Sequence, residues 1–279
     1  MVVDAHHHLW TADYPWLAEP GLERIRRDYT VADLRRVLAT APVDATVLVE
    51  AGRCDLAETL SFLAIADATP EIAGVVGWVS LTDPDLPATL ARLRAAPGGS
   101  RLVGVRDQVQ AATDPGHLAR PEVRASLAAA GAAGLAFDLV VRQEQLTACA
   151  EAVAATPATT FVLDHLGKPR IRDGKVAEWR AALAPLAARD NVVAKLSGLL
   201  TEAGPEWTVR ALAPYVEAAL ELLGTDRLMF GSDWPVCELV ASYADTRSAY
   251  DACLSGLSTS ERGAIYGGTA RRVYQLAVP

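Results

Sequence analysis

Three histidines stand in a row near the start of the chain, in MVVDAHHHLW, as His6, His7 and His8. Alternate residues of a β-strand face the same way, so His6 and His8 would project together and His7 to the other side. Two neutral imidazoles that converge suit a divalent metal such as zinc. A truncated purification tag or a solvated terminus is the other interpretation. A tag, however, is normally longer and lies outside the fold, whereas VVDAH is typical of a first strand.

Two further residues have the types that complete a metal site. His165 follows an apolar run in TFVLDHLGKP, and Asp233 follows another in RLMFGSDWP. A single histidine of this kind is more often a hydrogen-bonded core residue, and a single aspartate is often an N-cap or turn residue. Together with His6 and His8 they offer three nitrogens and one carboxylate, which is the ligand set of a hydrolytic metal site with room for water.

Eight short runs rich in β-branched residues carry these side chains. The predicted strands are residues 2–6, 45–51, 72–81, 101–109, 135–141, 160–167, 191–198 and 227–234. Apolar residues at helical spacing lie between them, for example Leu56, Leu60 and Leu63 on one helix face. Gly131 and Gly224 suit the ends of two later helices.

The alternation of strands and helices predicts an α/β fold with a parallel sheet, and eight repeats in 279 residues favour a closed (β/α)8 (TIM) barrel. The strands are continuous apolar runs, as expected when both faces are covered. A doubly wound nucleotide-binding fold is the alternative, but GxGxxG and GxxxxGK[ST] are both absent. No linker divides the sequence, so we predict a single domain over residues 1–279.

In such a barrel the catalytic groups lie where the strands end and the loops begin. Polar or aromatic side chains stand at the predicted ends, namely His6, His8, Glu50, Trp78, Arg106, Asp138, His165, Lys195 and Asp233. Charged groups next to apolar strands are costly unless they are paired or used in chemistry. Their concentration at one end is hard to explain by packing and predicts an active site.

The composition limits the partners and the compartment. Hydrophobic residues make up 51% of the chain, and the formal net charge is −8. This balance disfavours nucleic acid or an anionic membrane as a partner, because both attract clustered Lys and Arg. Four separated cysteines without CxxC, and no apolar leader, predict reduced thiols in a cytoplasmic protein. The oligomeric state stays open, a homo-oligomer included.

The motifs DAHHHLW, VGVR, FDLVV, DHLGKP, KLSGL and FGSDWPV occur in this order and resemble the amidohydrolase superfamily. They are most similar to its lactonase branch, of the fuconolactonase, rhamnonolactonase and pyrone-dicarboxylate lactonase types. The resemblance covers the chain from the first strand to GGTARRVYQL. It implies a distorted (β/α)8 barrel that hydrolyses a cyclic ester. It also assigns the family's site positions to residues of this chain, namely His6, His8, Arg106, His165, Lys195 and Asp233.

Asp233 is then the expected general base, which takes a proton from the attacking water and returns it to the ring oxygen. A metal held by His6, His8, His165 and Asp233 would polarise the carbonyl or lower the pKa of the water to about 7. The chain lacks the lysine that bridges the metals of binuclear relatives, so one ion at most is expected, and zinc is favoured over none. The pyrone-dicarboxylate lactonase type implies an alternative without metal, in which the same histidines donate hydrogen bonds to the carbonyl.

Arg106 and Lys195 are expected to hold substrate hydroxyls or a carboxylate and, with His165, to act on the developing oxyanion. Aromatic faces that cover a sugar ring are expected from Trp10, Tyr14, Trp16, Trp78 and Trp234, with simple packing as the alternative for any one of them. The family often has a histidine after GVR, where this chain has Asp107. A substrate contact or the local charge is therefore expected to differ there.

Four other polar residues stay open at this level. Glu202 either reaches the site from the seventh loop or is a surface carboxylate. Glu50 and Asp138 are either partners of a histidine or members of a structural ion pair. His117, in TDPGHLARPE, is expected to be exposed.

Three other functions compete with lactone hydrolysis. The nearest is a metal-dependent decarboxylase of the same superfamily that acts on aromatic or enol acids. A serine hydrolase would use Ser197 or Ser232 with His165, but no GxSxG motif is present. The third is a non-catalytic protein that binds sugar acids. HLGKP followed by KLSGL favours a sugar lactone, such as an L-fucono- or L-rhamnono-lactone, as the substrate.

Overall fold

Eight parallel strands form one sheet in chain order, with helices between them. The structure, a computed structural model, describes residues 1–277. The strands are β1 (Val3–His7), β2 (Ala45–Val49), β3 (Ile72–Trp78), β4 (Leu102–Asp107), β5 (Ala136–Leu139), β6 (Phe161–Leu163), β7 (Val192–Leu196) and β8 (Leu228–Phe230). Each overlaps a predicted strand, so the predicted (β/α)8 barrel is confirmed. The last two residues of the predicted domain lie outside the described residues.

The helices follow the strands along the chain. They are α1 (Val31–Leu38), α2 (Leu56–Asp67), α3 (Leu86–Ala95), α4 (Pro121–Ala132), α5 (Leu146–Ala155), α6 (Val176–Ala187), α7 (Leu199–Ala203), α8 (Val209–Leu223), α9 (Tyr243–Cys253), α10 (Thr259–Gly263) and α11 (Thr269–Val273). A π-helical turn, Ala264–Gly268, separates α10 from α11. Among residues 1–277, no helix is both long and apolar enough to pass through a bilayer.

The inside of the barrel is packed with small and branched side chains. Every residue of β1 and β2 is buried, as the continuous apolar runs predicted. One apolar cluster joins Ala5, Val47 and Val162 from three strands with Tyr274, which follows α11. The Tyr274 hydroxyl donates to Asp138 Oδ2 of β5 at 2.8 Å. The last helical segment is therefore tied into the core of the barrel.

The two ends of the sheet meet through the segment that follows β8. His7 and Trp234 form a parallel bridge, and the His8 N–H donates to the Trp234 carbonyl at 2.7 Å. The Asp233 N–H donates to the His6 carbonyl at 2.8 Å. These backbone hydrogen bonds hold the residue near the end of the chain against the histidines near its start.

β6 ends four residues earlier than predicted, because the chain leaves the extended conformation after Leu163. Residues 165–168 have φ values of 54°, 51°, 73° and 51°. A left-handed conformation costs about 1–2 kcal/mol for each non-glycine residue. Asp233 also has a positive φ, of 58°. Such conformations cluster at functional sites, so the strand prediction fails where the candidate site begins.

The helix predictions fail at particular residues. Leu60 is 43% exposed, because the buried side of α2 runs through Phe62 and Leu63 instead. The buried face of α9 includes Thr246 and Ala249, so it is not marked by a stripe of large apolar residues. The buried residues keep helical spacing, but a polar and a small residue among them make this helix hard to recognise from the sequence.

Gly131 lies inside α4 rather than at its end. A Cβ at this position would lie 2.9 Å from Thr159 Cα, so the glycine is required by close packing and not by a turn. Gly224 does end its helix, α8, with a φ of 70°, as predicted.

We therefore expect Gly131→Ala to lower the free energy of unfolding by about 1–3 kcal/mol, because the added methyl overpacks the contact with Thr159. The matched control is Gly263→Ala in α10, where nothing lies within 4 Å of the new Cβ. There the better helix propensity of alanine should change stability by about 0–1 kcal/mol in the favourable direction. Urea denaturation measures both variants, and equal effects would contradict the packing argument.

Candidate active site

The four residues predicted to bind a metal lie together. His6 Nε2 is 3.1 Å from His8 Nε2. Asp233 Oδ1 lies 3.7 Å from His6 Nε2, 3.6 Å from His8 Nε2 and 3.9 Å from His165 Nε2. His7 points away, with its Nε2 3.0 Å from a hydroxyl of β2. The expected alternation of the triplet across the strand is what the structure shows.

Hydrogen bonds on the far nitrogens orient two of these rings. His8 Nδ1 donates to the Val49 carbonyl at 2.9 Å, so Nε2 of the neutral ring carries a lone pair. His165 Nδ1 lies 2.8 Å from Ser197 Oγ, and its Nε2 faces Asp233. Partners of this kind fix the ring orientation of metal-binding histidines.

Two motif glycines make room for the imidazoles. A Cβ at Gly198, in KLSG, would lie 2.7 Å from His165 Nδ1, and the φ of Gly198 is 67°. A Cβ at Gly231, in FGSD, would lie 2.6 Å from His6 Cβ. Real Cβ contacts are not this short, so both positions need glycine for the rings to approach.

Burial keeps the imidazoles of His6 and His165 neutral. It lowers the pKa of His165 to about 4, and it lowers the pKa of His6 well below its ordinary value with help from the charge of Lys195. Neutral imidazole is the form that binds metal. Burial raises the pKa of Asp233, but His165 and His8 outweigh this effect and leave that pKa below its usual range. The carboxylate is therefore ionised at neutral pH.

The donor set fits a divalent metal. His6, His165 and Asp233 offer ligand atoms that all lie within 4.8 Å of one another, and His8 contacts the first and the third of them. Two ligands of a tetrahedral zinc ion lie about 3.4 Å apart. The contacts of 3.1–3.9 Å around Asp233 and His6 bracket that separation.

Lys195 does not reach the cavity, which corrects the expectation that it contacts substrate. Its fully buried ammonium lies 2.5 Å from Asp138 Oδ2, 3.0 Å from Asp164 Oδ1 and 3.1 Å from His6 Nδ1. The ammonium thus pairs with two carboxylates. Its contact with Nδ1 orients the ring of His6 from the side opposite Asp233. Asp138, which the sequence left open, is a member of this ion pair.

Arg106 reaches the cavity wall, but three of its five N–H donors are already occupied. Nε donates to Glu50 Oε1 at 2.6 Å, Nη2 to the Glu50 carbonyl at 2.7 Å and Nη1 to Asp164 Oδ2 at 2.8 Å. Glu50 is therefore an ion-pair member. Sequence reasoning missed Asp164, which joins Arg106, Lys195 and His6. The signal was its place directly before His165 in DHLGKP.

A cavity of about 500 Å³ opens onto this cluster. Its polar lining comprises His8, Glu19, Arg106, Gln108, Gln110, Arg142, His165, Lys168, Thr201, Glu202 and Asp233. Glu202 therefore does reach the site, which answers the question that the sequence left open. The polar lining residues that sequence reasoning missed are Glu19, Gln108, Gln110, Arg142, Lys168 and Thr201. Only Lys168 had a visible signal, because it lies in HLGKP three residues after His165.

The predicted aromatic contacts are divided between this cavity and other places. Trp10 and Trp16 line it. Tyr14 borders a second cavity of about 670 Å³ instead. Trp78 Nε1 donates to Asp107 Oδ1 at 3.2 Å, and the fully buried Trp234 donates to a glutamate of the following turn at 2.8 Å. Three of the five expected sugar contacts thus lie away from this cavity.

Asp107 points away from the cavity. Its Oδ1 accepts from Trp78 and its Oδ2 accepts from the Leu81 N–H at 2.9 Å, so the carboxylate ties down the loop after β3. The next residue, Gln108, faces the cavity in its place. His117 is half-buried, away from the cluster, rather than exposed.

Neither serine of the serine-hydrolase alternative is placed to act as a nucleophile. Ser197 contacts the nitrogen of His165 that faces away from Asp233, and its side chain is fully buried. Ser232 is also fully buried and donates to the His6 carbonyl at 3.3 Å. Neither hydroxyl lines the cavity.

Comparison with known proteins adds an independent finding. A family model described as Amidohydrolase matches residues 3–276. A protein of Burkholderia multivorans named L-fucono-1,5-lactonase is 39% identical over 298 residues, covering 99% of this chain and 97% of its own.

Two solved structures show the same likeness. An amidohydrolase from Burkholderia multivorans with bound zinc is 38% identical, covers 99% of both chains and has a TM-score of 0.93. A putative 2-pyrone-4,6-dicarboxylic acid hydrolase from Pseudomonas putida is 25% identical, covers 100% of this chain and 98% of its own, and has a TM-score of 0.77.

The position of Lys195 leads to a stability test. We expect Lys195→Met to lower the free energy of unfolding by about 3–5 kcal/mol, because it leaves Asp138 buried without a cation and Asp164 with Arg106 alone. The control is Lys175→Met, which removes an exposed ammonium 3.2 Å from Glu178 and should change stability by no more than about 0.5 kcal/mol. Urea denaturation separates the two outcomes. A Lys195 variant as stable as the wild type would show that the network is not structural.

Proposed function

Because this chain belongs to the amidohydrolase family, we propose that it hydrolyses a sugar lactone to the sugar acid. The observation that carries this proposal is the convergence of three imidazoles on one carboxylate, Asp233, at the wall of a single cavity. That arrangement activates water and polarises a carbonyl, which are the two requirements of ester hydrolysis.

An aldonolactone of the L-fucono or L-rhamnono type is the proposed substrate. The 39% identical relative is named for L-fucono-1,5-lactone, and its similarity covers nearly the whole of both chains. The cavity supports a sugar ring in two ways. Trp10 and Trp16 offer apolar faces, and the amides and charged groups opposite them offer hydrogen bonds to hydroxyls.

Asp233 acts as the general base in this mechanism. It is ionised at neutral pH, reaches the cavity and lies between three imidazoles. It takes a proton from the attacking water and returns it to the ring oxygen as the lactone opens. His165 holds the carbonyl end of the substrate, while Arg106 and Lys195 act indirectly through the network that positions Asp164 and His6.

His6, His8, His165 and Asp233 would hold one divalent ion, for which zinc is the best match to the ligand types. When bound, such an ion supplies positive charge to the carbonyl and a more acidic water. Without it, Nε2–H groups of His6 and His165 would serve the carbonyl, since His8 Nε2 carries a lone pair.

We expect Asp233→Asn to lower kcat on L-fucono-lactone by about 10²–10⁴-fold, because the amide cannot take the proton from water. Acid release recorded with a pH indicator measures the rate. The control, Asp190→Asn, changes an exposed aspartate and should keep the wild-type rate. A variant at position 233 with a near-normal rate would remove the assigned base. Release of carbon dioxide from benzoate-type acids, without lactone turnover, would favour the decarboxylase alternative.

Removal of metal tests the second half of the mechanism. We expect the purified protein to contain about one zinc per chain, and we expect a chelator to lower lactone turnover and added zinc to restore it. Elemental analysis of the wild type and of His6→Ala gives a readout that does not depend on activity, since the variant should lose the metal. Full activity in a protein shown to contain no metal would favour the hydrogen-bonding role of the histidines.

A further inference from the structure

The cations of the site differ in how much of their charge is available to a substrate. Arg106 is bonded to Glu50 and Asp164, and Lys195 to Asp138 and Asp164. Within residues 1–277, Lys168 has no carboxylate within 4.0 Å and has a single hydrogen-bond partner, the neutral Gln110 Oε1, at 2.6 Å. An ammonium has three donors, so two of them remain for a ligand in the cavity that Lys168 lines.

The left-handed turn brings Lys168 to the site. Residues 165–168 all have positive φ, and the Lys168 N–H donates to the His165 carbonyl at 2.9 Å. In a turn with bonds between residues three apart, the side chains at the two ends lie on the same side. His165 and Lys168 accordingly both line the cavity. The strained backbone thus presents an imidazole and an ammonium together.

Glu202 brings an unused acceptor to the same cavity. It lies on α7, after β7, and its carboxylate has no hydrogen-bond partner within residues 1–277. Burial raises the pKa of Glu202, and the charges of Lys168 and Arg142 act in the opposite direction. A half-buried carboxylate without partners is costly unless a ligand supplies donors.

We propose that Lys168 and Glu202 bind the hydroxyl groups of the lactone and make the site selective for uncharged lactones over lactones that carry a carboxylate. The proposal rests on the function proposed above. A sugar hydroxyl both donates and accepts, so Lys168 can donate to it and Glu202 can accept from it. A substrate carboxylate only accepts, so beside Glu202 it would leave the acceptor unpaired and add like-charge repulsion.

The charge of the cavity lining supports this selectivity. Among the described residues that line the cavity, the cations without a salt bridge, Lys168 and Arg142, are outnumbered by the anions Glu19, Glu202 and Asp233, while Arg106 is neutralised by its own carboxylates. Arg142 is thus the one lining arginine whose guanidinium is free for a two-point contact with a substrate carboxylate, and the excess of anions opposes that contact. Substrate discrimination is therefore expected to depend on hydroxyl hydrogen bonds.

The test compares two lactones on one carbon skeleton: galactono-lactone, which is uncharged, and galactaro-lactone, which carries a carboxylate. Wild type should prefer the uncharged lactone in kcat/KM. Glu202→Gln should raise KM for the uncharged lactone about 10-fold with a smaller change in kcat, since one charged hydrogen bond is lost. The same variant should bind galactaro-lactone more tightly, because the repulsion is gone. Lys168→Met should lower kcat/KM for the uncharged lactone by about 10–100-fold.

The matched control is Glu206→Gln, an exposed glutamate just beyond α7, which should leave both lactones unchanged. Circular dichroism and thermal unfolding establish that each variant is folded. Where galactaro-lactone turns over too slowly, its inhibition constant replaces KM. An unchanged preference in Glu202→Gln, or an equal loss of kcat on both lactones, would overturn the proposal.

Failure of the proposed function gives a different result. If the wild type hydrolyses no lactone, calorimetric binding of galactono-lactone and galactaro-lactone still tests the two residues. Tighter binding of the uncharged lactone, lost in Glu202→Gln, would support the hydroxyl-binding role without hydrolysis. Equal binding of both lactones by the wild type would overturn it.

Discussion

The site depends on one buried charge, the ammonium of Lys195. The network around it comprises two cations and three carboxylates: Lys195, Arg106, Glu50, Asp138 and Asp164. Removing Lys195 would leave Asp138 buried without a cation, and removing Arg106 would do the same to Glu50, so both cations are needed to hold the set together. Lys195 and Asp164 also contact Nδ1 of His6. The same group of residues that stabilises the barrel interior therefore orients the ring of His6 beside the cavity.

Within residues 1–277, backbone strain is concentrated in the segments that carry the chemistry, and Cys54 and Gln275 are the other non-glycine residues with a positive φ. Residues 165–168 and Asp233 adopt left-handed conformations that ordinary side chains avoid, and each segment is held by neighbours that leave it little freedom. Gly198 lets the ring of His165 approach, and hydrogen bonds from Asp233 and His8 close the barrel beside the cluster. The surrounding strands are regular and buried, so the scaffold offsets the cost of these two segments.

The sequence predicted the barrel and the four converging residues because both follow from local rules. Apolar runs mark the strands, and strand alternation separates His6 and His8 from His7. Prediction failed where contacts are made across the fold. Nothing local shows that Lys195 faces the barrel interior, or that Trp234 is buried rather than exposed to a ligand. Asp164 and Lys168 were missed for another reason. The predicted sixth strand ended four residues too late, so the turn after Leu163 was read as strand. That turn determines which side chains face the cavity.

The hydrogen bond from Tyr274 to Asp138 has a consequence for synthesis on the ribosome. Asp138 pairs with Lys195, and Lys195 contacts the ring of His6, so the first strand's part of the site depends on a residue that follows all eight strands. A nascent chain that has released only β1 to β7 holds the imidazoles but lacks both the carboxylate of Asp233 and the phenol that anchors the interior. The cluster can therefore be assembled on the ribosome only after the segment beyond β8 has been made and has packed into the barrel.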